Sequence, residues 1–386
     1  MKLRIVAGAL ALASVMVLAP SCGGKTDEVK LTNVFRQESV KLPDKYAEAD
    51  NFYTEQLYTA GDKVYLQCSE WNDNGQRQYM LELGTDGTVG SEIDLGLTNS
   101  ENSSMSVAAM AFDDSGDMWA LVNKYTYGEN GSEETYLLRK YTGGAYEETP
   151  IVVDEPEQGN DDGNYYGSSF YPNYMQVTED GTIVLSSWDA IKVLRDGKLV
   201  DLDLGQQNTD GNMNINGMFR LNGKVYVQVR TYADNSSSTK YYEIDIANMK
   251  LGDELQTTVS LSDMYSVMYG PGYDFYTKDE NSVYGYDLKA GTKTEVFNFI
   301  NSDVDASAVN YLAVISADEF IAAGYDSDSQ TDMITHFTRI PDDQVAQKTI
   351  ISMSTPNLYY DLRRKVIKFN KSSDTYRIVV TDYSQY

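Results

Sequence analysis

Histidine, cysteine and proline are scarce in this chain of 386 residues, which has one His, two Cys and eight Pro. A Ser–His–Asp or Cys–His mechanism needs a histidine, so any such mechanism would have to use His336. A metal site built from several histidines is excluded for the same reason. Chemistry based on carboxylates stays open, because Asp and Glu occur throughout the chain.

Basic residues are also few, with 31 Lys and Arg against 58 Asp and Glu and a formal net charge of −27. Nucleic-acid binding needs clustered Lys and Arg, so we expect no nucleic-acid partner. Hydrophobic residues make up 41% of the chain, which is enough for a core and excludes wholesale disorder. The 31 Tyr and 29 Gly favour strands joined by turns.

Residues 1–21 have the features of an export signal. Lys2 and Arg4 form a basic start, and the apolar run from Ile5 to Leu18 has the length of a signal-peptide core. A membrane-spanning helix needs roughly 20 apolar residues, so this run is too short. No later stretch of the sequence is long and apolar enough to span a bilayer.

The apolar run ends in small residues followed by Cys22, and this junction resembles a bacterial lipoprotein signal. In such signals the cysteine is acylated and becomes the new N-terminus. The resemblance implies lipid attachment at Cys22 and a chain anchored to the outer face of the cell membrane. Ordinary secretion is the alternative. With Cys22 acylated, a disulfide scaffold is excluded, and Cys68 is predicted to be a small buried hydrophobe.

From Phe52 onward the chain repeats one pattern, in which an apolar strand, a tight Gly, Asp or Asn turn and a second strand are followed by two more strands. The second strands begin at a mean interval of about 51 residues, and four-stranded units of roughly 40–50 residues are typical of β-propeller blades. The sequence therefore predicts an all-β, β-propeller-like domain of about six blades, with a pair of β-sandwiches as the alternative. The predicted first strands are Phe52–Tyr58, Val107–Phe112, Tyr174–Val177, Met218–Leu221, Tyr265–Tyr269 and Tyr311–Ile315.

The last of these units has no certain fourth strand of its own. An unpaired edge strand is an aggregation risk, so another segment is expected to cover it. We predict that a segment near Val34–Leu42 pairs with the last unit.

The last forty residues have a different pattern. Apolar residues Tyr359, Leu362, Val366 and Phe369 recur at helical spacing between two short apolar strands. The pattern predicts a single strand–helix–strand unit. The basic cluster Arg363–Lys368 is predicted to be a solvated helix face.

This region resembles the opening of the extracellular solute-binding proteins, family 1, of ABC importers. The phrases that carry the resemblance are Ile350–Met353, Leu362–Ser372 and Tyr376–Tyr383. That family has two α/β lobes that close on a ligand. The resemblance implies that residues 347–386 are the incomplete first strand–helix–strand of such a lobe in a truncated chain. It also implies an importer permease as partner and a small solute, possibly a sugar, as ligand.

Several residues are candidates for a functional site, and for each of them a purely structural role is the alternative. Trp71, Trp119 and Trp188 are candidates for stacking on sugars, with packing in the core as the alternative. The acidic segments Asn160–Asn164 and Asp326–Asp332 offer oxygen ligands for calcium, but such residues are ordinary in turns. His336 lies in a predicted strand. We favour the structural role in each case and expect no catalytic residue, metal or other cofactor.

The expected organisation is a signal peptide at 1–21, a lipid-anchored tether at 22–50, the propeller-like domain at 51–346 and the start of a truncated solute-binding domain at 347–386. The expected function is the non-enzymatic solute-binding component of an importer for sugars or oligosaccharides. The alternatives are a carbohydrate-active or carbohydrate-binding propeller and a surface interaction scaffold.

Overall fold

The structure is a computed structural model, and it describes residues 31–47, 52–72, 75–128, 131–153, 170–205, 213–233, 236–261, 267–326 and 331–383. The chain divides into two compact units, residues 1–31 and 32–386, and all of the described helices and strands belong to the second. Cys22 and Asn160–Asn164 lie outside the described residues. None of the helices in the described ranges has the length and apolar character needed to cross a membrane.

The described residues form an all-β fold with a β-propeller arrangement, as the sequence predicted. A strand β1 (Phe35–Ser39) and a short helix α1 (Asp44–Ala47) come first. Six antiparallel meanders follow, in which each strand pairs with the next along the chain. The first three are β2 (Phe52–Ala60), β3 (Lys63–Asn72), β4 (Gly75–Leu83) and β5 (Val89–Asp94); β6 (Ser103–Phe112), β7 (Met118–Gly128), β8 (Gly131–Thr142) and β9 (Ala145–Val153); and β10 (Tyr174–Val177), β11 (Ile183–Ser186), β12 (Ile191–Arg195) and β13 (Lys198–Asp201).

The remaining meanders complete the series. They are β14 (Met213–Leu221), β15 (Lys224–Ala233), β16 (Ser236–Asp245) and β17 (Lys250–Glu254); β18 (Phe275–Lys278), β19 (Ser282–Asp287) and β20 (Thr292–Asn298); and β21 (Tyr311–Ser316), β22 (Glu319–Asp326) and β23 (Thr331–Arg339). The second and third meanders join in one eight-stranded sheet through parallel pairing of β9 with β13.

Turn residues explain why the hairpins form where they do. Between β14 and β15, Asn222 and Gly223 have φ angles of 51° and 75°. Two successive positive φ angles make the two-residue turn whose twist matches that of the flanking strands, and Asn-Gly is the pair that adopts it at least cost.

The fifth meander differs from the prediction. Tyr265–Tyr269 is not a strand along its length: residues 262–266 lie outside the described ranges, and Met268 forms only an isolated bridge with Tyr276. The other five predicted first strands are found, two of them with the start several residues earlier.

The meanders pack side by side in a closed ring. Buried hydrophobic residues form six clusters, and each cluster joins a different pair of neighbouring meanders. The sixth meander meets the first through Ala313, Ile321 and Ile334, which pack with Leu66 and Cys68. Cys68 is fully buried there, as predicted.

Strand β1 completes the sixth meander. It pairs antiparallel with β23, from Phe35 opposite Arg339 to Ser39 opposite Thr335. The prediction that a segment near Val34–Leu42 covers this edge is therefore confirmed.

The C-terminal region is a strand–helix–strand unit, as the helical spacing predicted. It consists of β24 (Thr349–Thr355), α2 (Tyr360–Ser372) and β25 (Tyr376–Asp382), and the two strands pair in parallel. The amide of Asn370 joins α2 to β25, because its Oδ1 accepts from the Ile378 N–H at 2.7 Å and its Nδ2 donates to the Ile378 carbonyl at 3.0 Å.

The buried face of α2 differs from the predicted one. Its buried residues are Arg363, Val366, Ile367 and Asn370, and Arg363 is only 5% exposed. The prediction of a solvated basic face is wrong for Arg363, which donates to Glu280 Oε2 at 2.8 Å from its Nη2. Spacing alone did not show this, because the partner is 83 residues away in the chain.

A second arginine, Arg377 on β25, fixes the same unit to the propeller. It is buried, pairs with Asp303 and donates to the Asn301 carbonyl at 2.8 Å. The unit is therefore packed against loops of the fifth and sixth meanders. This packing gives no support to its interpretation as the first part of a solute-binding lobe.

Candidate functional site

The innermost strands of the meanders surround a central cavity of about 1200 Å³. Every meander contributes to its wall. The lining includes Gln56 on β2, Ala109 on β6, Gln176 on β10, Met218 on β14, Tyr269 before β18 and Leu312 on β21.

Three of these inner strands carry a β-bulge where they line the cavity. The register shifts between Thr54 and Gln56, between Val107 and Ala109, and between Ile215 and Gly217. A bulge leaves one residue unpaired and re-aims its side chain, and bulges are common beside active sites. On β2 the unpaired residue is Glu55.

Glu55 is held by a glutamine from the second strand. The Gln67 Nε2 donates to Glu55 Oε2 at 2.8 Å, and Tyr58 Oη donates to Gln67 Oε1 at 3.3 Å. Gln67 and Tyr58 both line the cavity. The Gln67 side-chain amide therefore links the Glu55 carboxylate and the Tyr58 phenol, both on β2, in one chain of hydrogen bonds.

Two phenols lie in the electrostatic field of this carboxylate. Burial raises the pKa of Tyr58, and the negative charge of Glu55 raises it further. Burial and Glu55 also raise the pKa of Tyr311, which lines the cavity from β21. Both phenols therefore stay protonated at neutral pH and can donate hydrogen bonds, while Glu55 is the acceptor of the group. We call Glu55, Tyr58, Gln67 and Tyr311 the Glu55 cluster.

A second carboxylate, Asp332 on β23, lies next to this cluster. It accepts a hydrogen bond from Thr54 Oγ1 at 3.4 Å, and Thr54 precedes Glu55 in the chain. Burial raises the pKa of Asp332, and the hydrogen bond from Thr54 offsets part of that effect. Buried Cys68 has a raised pKa because of its burial and, after that, the charges of Glu55 and Asp332. Asp332 itself lines a separate groove between the sixth meander and α2.

Three carboxylates of the described ranges line the cavity, and each of them has a structural partner. Asp113 accepts from the Trp119 indole N–H at 2.9 Å, and Asp114 pairs with Arg220 at 2.8 Å. Asp274 accepts from the backbone N–H of Leu288 at 2.7 Å. These contacts hold turns and neighbouring meanders in place. Glu55 does not itself line the cavity, but its partner Gln67 does, so Glu55 is the carboxylate left for chemistry at the cavity wall.

A second glutamine occupies the position in the fourth meander that Gln67 has in the first. Gln228 is 2% exposed, lines the cavity and has no hydrogen-bond partner for its Oε1 among the described residues. Both glutamines end a similar five-residue segment. The segments are Lys-Val-Tyr-Leu-Gln at 63–67 and Lys-Val-Tyr-Val-Gln at 224–228. A buried polar residue repeated in an apolar strand is the sequence signal for this cavity, and strand spacing alone does not reveal it.

The residues singled out from the sequence are not brought together. Trp119 packs at the interface of the second and third meanders, while Trp71 and Trp188 are 54% and 55% exposed. His336 lies on β23 with its Nε2 2.8 Å from Glu319 Oε1. Asp326 and Asp332 belong to neighbouring strands, and residues 327–330 between them lie outside the described ranges.

The described residues contain no group of three or more His, Cys, Asp or Glu side chains placed to hold a metal. The acidic segment Asp326–Asp332 therefore gives no calcium site from its described part.

Comparison with known proteins gives distant structural similarity only. No protein-family model matches the chain, and no curated protein matches it. A phage phi92 endosialidase matches over 84% of this chain and 72% of its own, at 9% identity and a TM-score of 0.42. A gluconolactonase from Xanthomonas campestris matches over 79% and 89%, at 13% identity and a TM-score of 0.41. The β-propeller domain of a protease from Pyrococcus furiosus matches over 72% and 79%, at 11% identity and a TM-score of 0.38.

Two expectations from the sequence are corrected. The resemblance to solute-binding proteins of importers is wrong, since no family model supports it and none of these solved proteins is named as one. The short sequence segments that carried the resemblance are compatible with any strand–helix–strand unit. The expectation of a non-enzyme is also contradicted, because an endosialidase and a gluconolactonase are enzymes. Similarities of this size assign no activity, so a catalytic role has to rest on this chain's own residues.

Proposed function

We propose that the protein is a carbohydrate-active enzyme whose six meanders are the blades of one propeller, and that it acts on a glycan in the central cavity. The observation that carries the proposal is the Glu55 cluster. It places one oriented carboxylate beside two protonated phenols, at a bulge in an innermost strand.

The polar lining of the cavity suits a neutral glycan. Its side chains include the amides of Gln56, Gln176 and Gln228 and the phenol of Tyr269, whose pKa burial raises to about 12. Sugar hydroxyls both donate and accept hydrogen bonds, and amides can serve both needs. The net charge of −27 disfavours the approach of polyanionic glycans.

Glu55 is the proton acceptor in this proposal. In hydrolysis it takes a proton from the attacking water, the water oxygen bonds to the anomeric carbon, and the bond to the leaving oxygen breaks. The leaving oxygen takes a proton from an acid. Tyr311 suits that role, because its phenol lines the cavity and stays protonated at neutral pH, and Glu55 returns the proton to it after the step. Tyr58 and Tyr311 donate hydrogen bonds to sugar oxygens.

The proposal is tested with the full chain on a panel of arabinan, xylan, galactomannan and polygalacturonate. New reducing ends report hydrolysis, and unsaturated products report elimination. We expect the wild type to cleave a neutral polymer. Glu55→Gln keeps the shape but cannot take a proton, so kcat is expected to fall by about 10²–10⁴-fold with little change in KM.

Glu147→Gln is the matched control, because Glu147 is exposed on β9, the fourth strand of its meander, and does not line the cavity. Its activity is expected to equal that of the wild type, and the melting temperature of both variants is measured to confirm folding. Full activity in a folded Glu55→Gln variant would refute the assignment of Glu55. Binding of a glycan by the wild type with no cleavage of any polymer would refute the enzymatic proposal.

A further inference from the structure

The direction of the strands defines two faces of the ring. In each complete meander the first strand and the second are antiparallel, so the start of the first strand and the end of the second lie on the same face. Because the first strands all line one cavity as neighbouring walls of a propeller, their starts lie together. We call this the entry face.

Exposed aromatic side chains concentrate on the entry face. Between residues 52 and 339, eight Tyr or Trp side chains of the described ranges are exposed, and only Tyr146, at the start of β9, lies on the other face. The other seven lie at the starts of first strands, at the ends of second strands or in the loops beside them. They are Tyr53, Trp71, Tyr127, Tyr171, Trp188, Tyr232 and Tyr325.

These seven residues come from five of the six meanders and are therefore distributed around the entry face. None of them lines the central cavity, and Tyr53 and Tyr325 line the groove beside α2. Tyr53 is two residues before Glu55, so one member of the aromatic set lies on the same strand as the carboxylate of the Glu55 cluster. Large aromatic side chains are normally buried, and their concentration on one exposed surface indicates a binding surface.

The chemistry of the set favours a polysaccharide chain. The C–H face of a pyranose ring packs on an aromatic ring, while the hydroxyl groups at its edge remain free for hydrogen bonds. Rings spaced around a cavity give several such contacts to a chain that crosses the opening. A small solute would use the cavity alone.

We infer that the entry face holds an extended neutral polysaccharide and presents one of its sugars to the Glu55 cluster. This inference rests on the proposed function and adds that the substrate is a polymer several residues long. Trp71 and Trp188 are the main contacts, since they offer the largest exposed rings.

Binding of arabinan, xylan and galactomannan, and of trisaccharides from each, is measured by titration calorimetry with the full-length Glu55→Gln variant, which prevents turnover. The polymer that binds is expected to bind at least about tenfold more tightly than its trisaccharide. Adding Trp71→Ala and Trp188→Ala to the Glu55→Gln variant is expected to remove the tenfold difference in affinity between polymer and trisaccharide. Tyr359→Ala is the control, because Tyr359 is equally exposed but lies next to α2.

Cleavage of the trisaccharide by the Tyr359→Ala variant, with Glu55 intact, is expected to stay within twofold of the wild type. Loss of polymer binding with no cleavage by any variant would support the entry face and refute the proposed function. Equal affinity for polymer and trisaccharide, unchanged polymer binding in the tryptophan variant, or no binding of any polymer would overturn the inference.

Discussion

Replacement of Phe35 by alanine tests how the ring is closed. Phe35 is 2% exposed, and its ring lies 4.3 Å from that of Phe297 and 5.4 Å from that of Phe320, measured between centroids. The Arg339 guanidinium lies 4.9 Å from the same ring. The side chain therefore joins β1 to the core between the fifth and sixth meanders.

The magnitude follows from these contacts. Truncating a buried Phe to Ala costs about 3–5 kcal/mol, because the transfer free energy is lost and a cavity remains. We expect a loss of about 4 kcal/mol in the free energy of unfolding, measured by urea denaturation followed by circular dichroism.

Arg36→Ala is the matched control on the same strand. Arg36 is exposed, and within the described ranges its ion pair is with exposed Glu38, at 3.2 Å. Such pairs contribute little, so its effect is expected within about 0.5 kcal/mol. A loss below about 1 kcal/mol for Phe35→Ala would refute the closure of the ring by β1.

Three further predictions concern a buried acid, the C-terminal unit and the N-terminus. The raised pKa of Asp332 means that the folded state binds its proton more tightly than the unfolded state, so stability falls as the pH rises above about 4. Asp332→Asn is therefore expected to raise the melting temperature at pH 7 but not at pH 3, and equal effects at both would contradict the argument. Arg377→Met leaves Asp303 buried without its partner. We therefore expect a loss of about 3–5 kcal/mol in the free energy of unfolding and faster proteolysis of the C-terminal unit. Lys365→Met, at an exposed position, is expected to change neither. We also propose that Cys22 is acylated: a clickable fatty acid is expected to label the wild type and not Cys22→Ser, and equal labelling would exclude it.

Local patterns were enough to predict much of the fold. The alternation of apolar and polar residues and the Asn-Gly or Asp-Gly turns located the hairpins. The missing fourth strand of the last unit predicted that a segment such as β1 pairs with it. These features depend on neighbours in the chain, which a single sequence shows directly.

The candidate site could not be predicted in the same way. Glu55 lies in a strand whose sequence has no unusual feature. Its side chain meets Gln67 because of the bulge on β2, which the sequence does not show. Arg363 is predicted from the sequence to be solvated, and no local pattern marks Arg377, yet both are buried against loops more than 70 residues away in the chain. Contacts of that kind depend on the assembled ring, and neither periodicity nor spacing reports them.

The most direct test of the central claim is a crystal structure of the Glu55→Gln variant with the polymer fragment that the wild type cleaves. We predict a sugar in the central cavity with one of its oxygens, or a water beside its anomeric carbon, about 2.6–3.2 Å from the side chain at position 55. A fragment bound only outside the cavity, with the side chain at position 55 touching neither sugar nor such a water, would contradict the account.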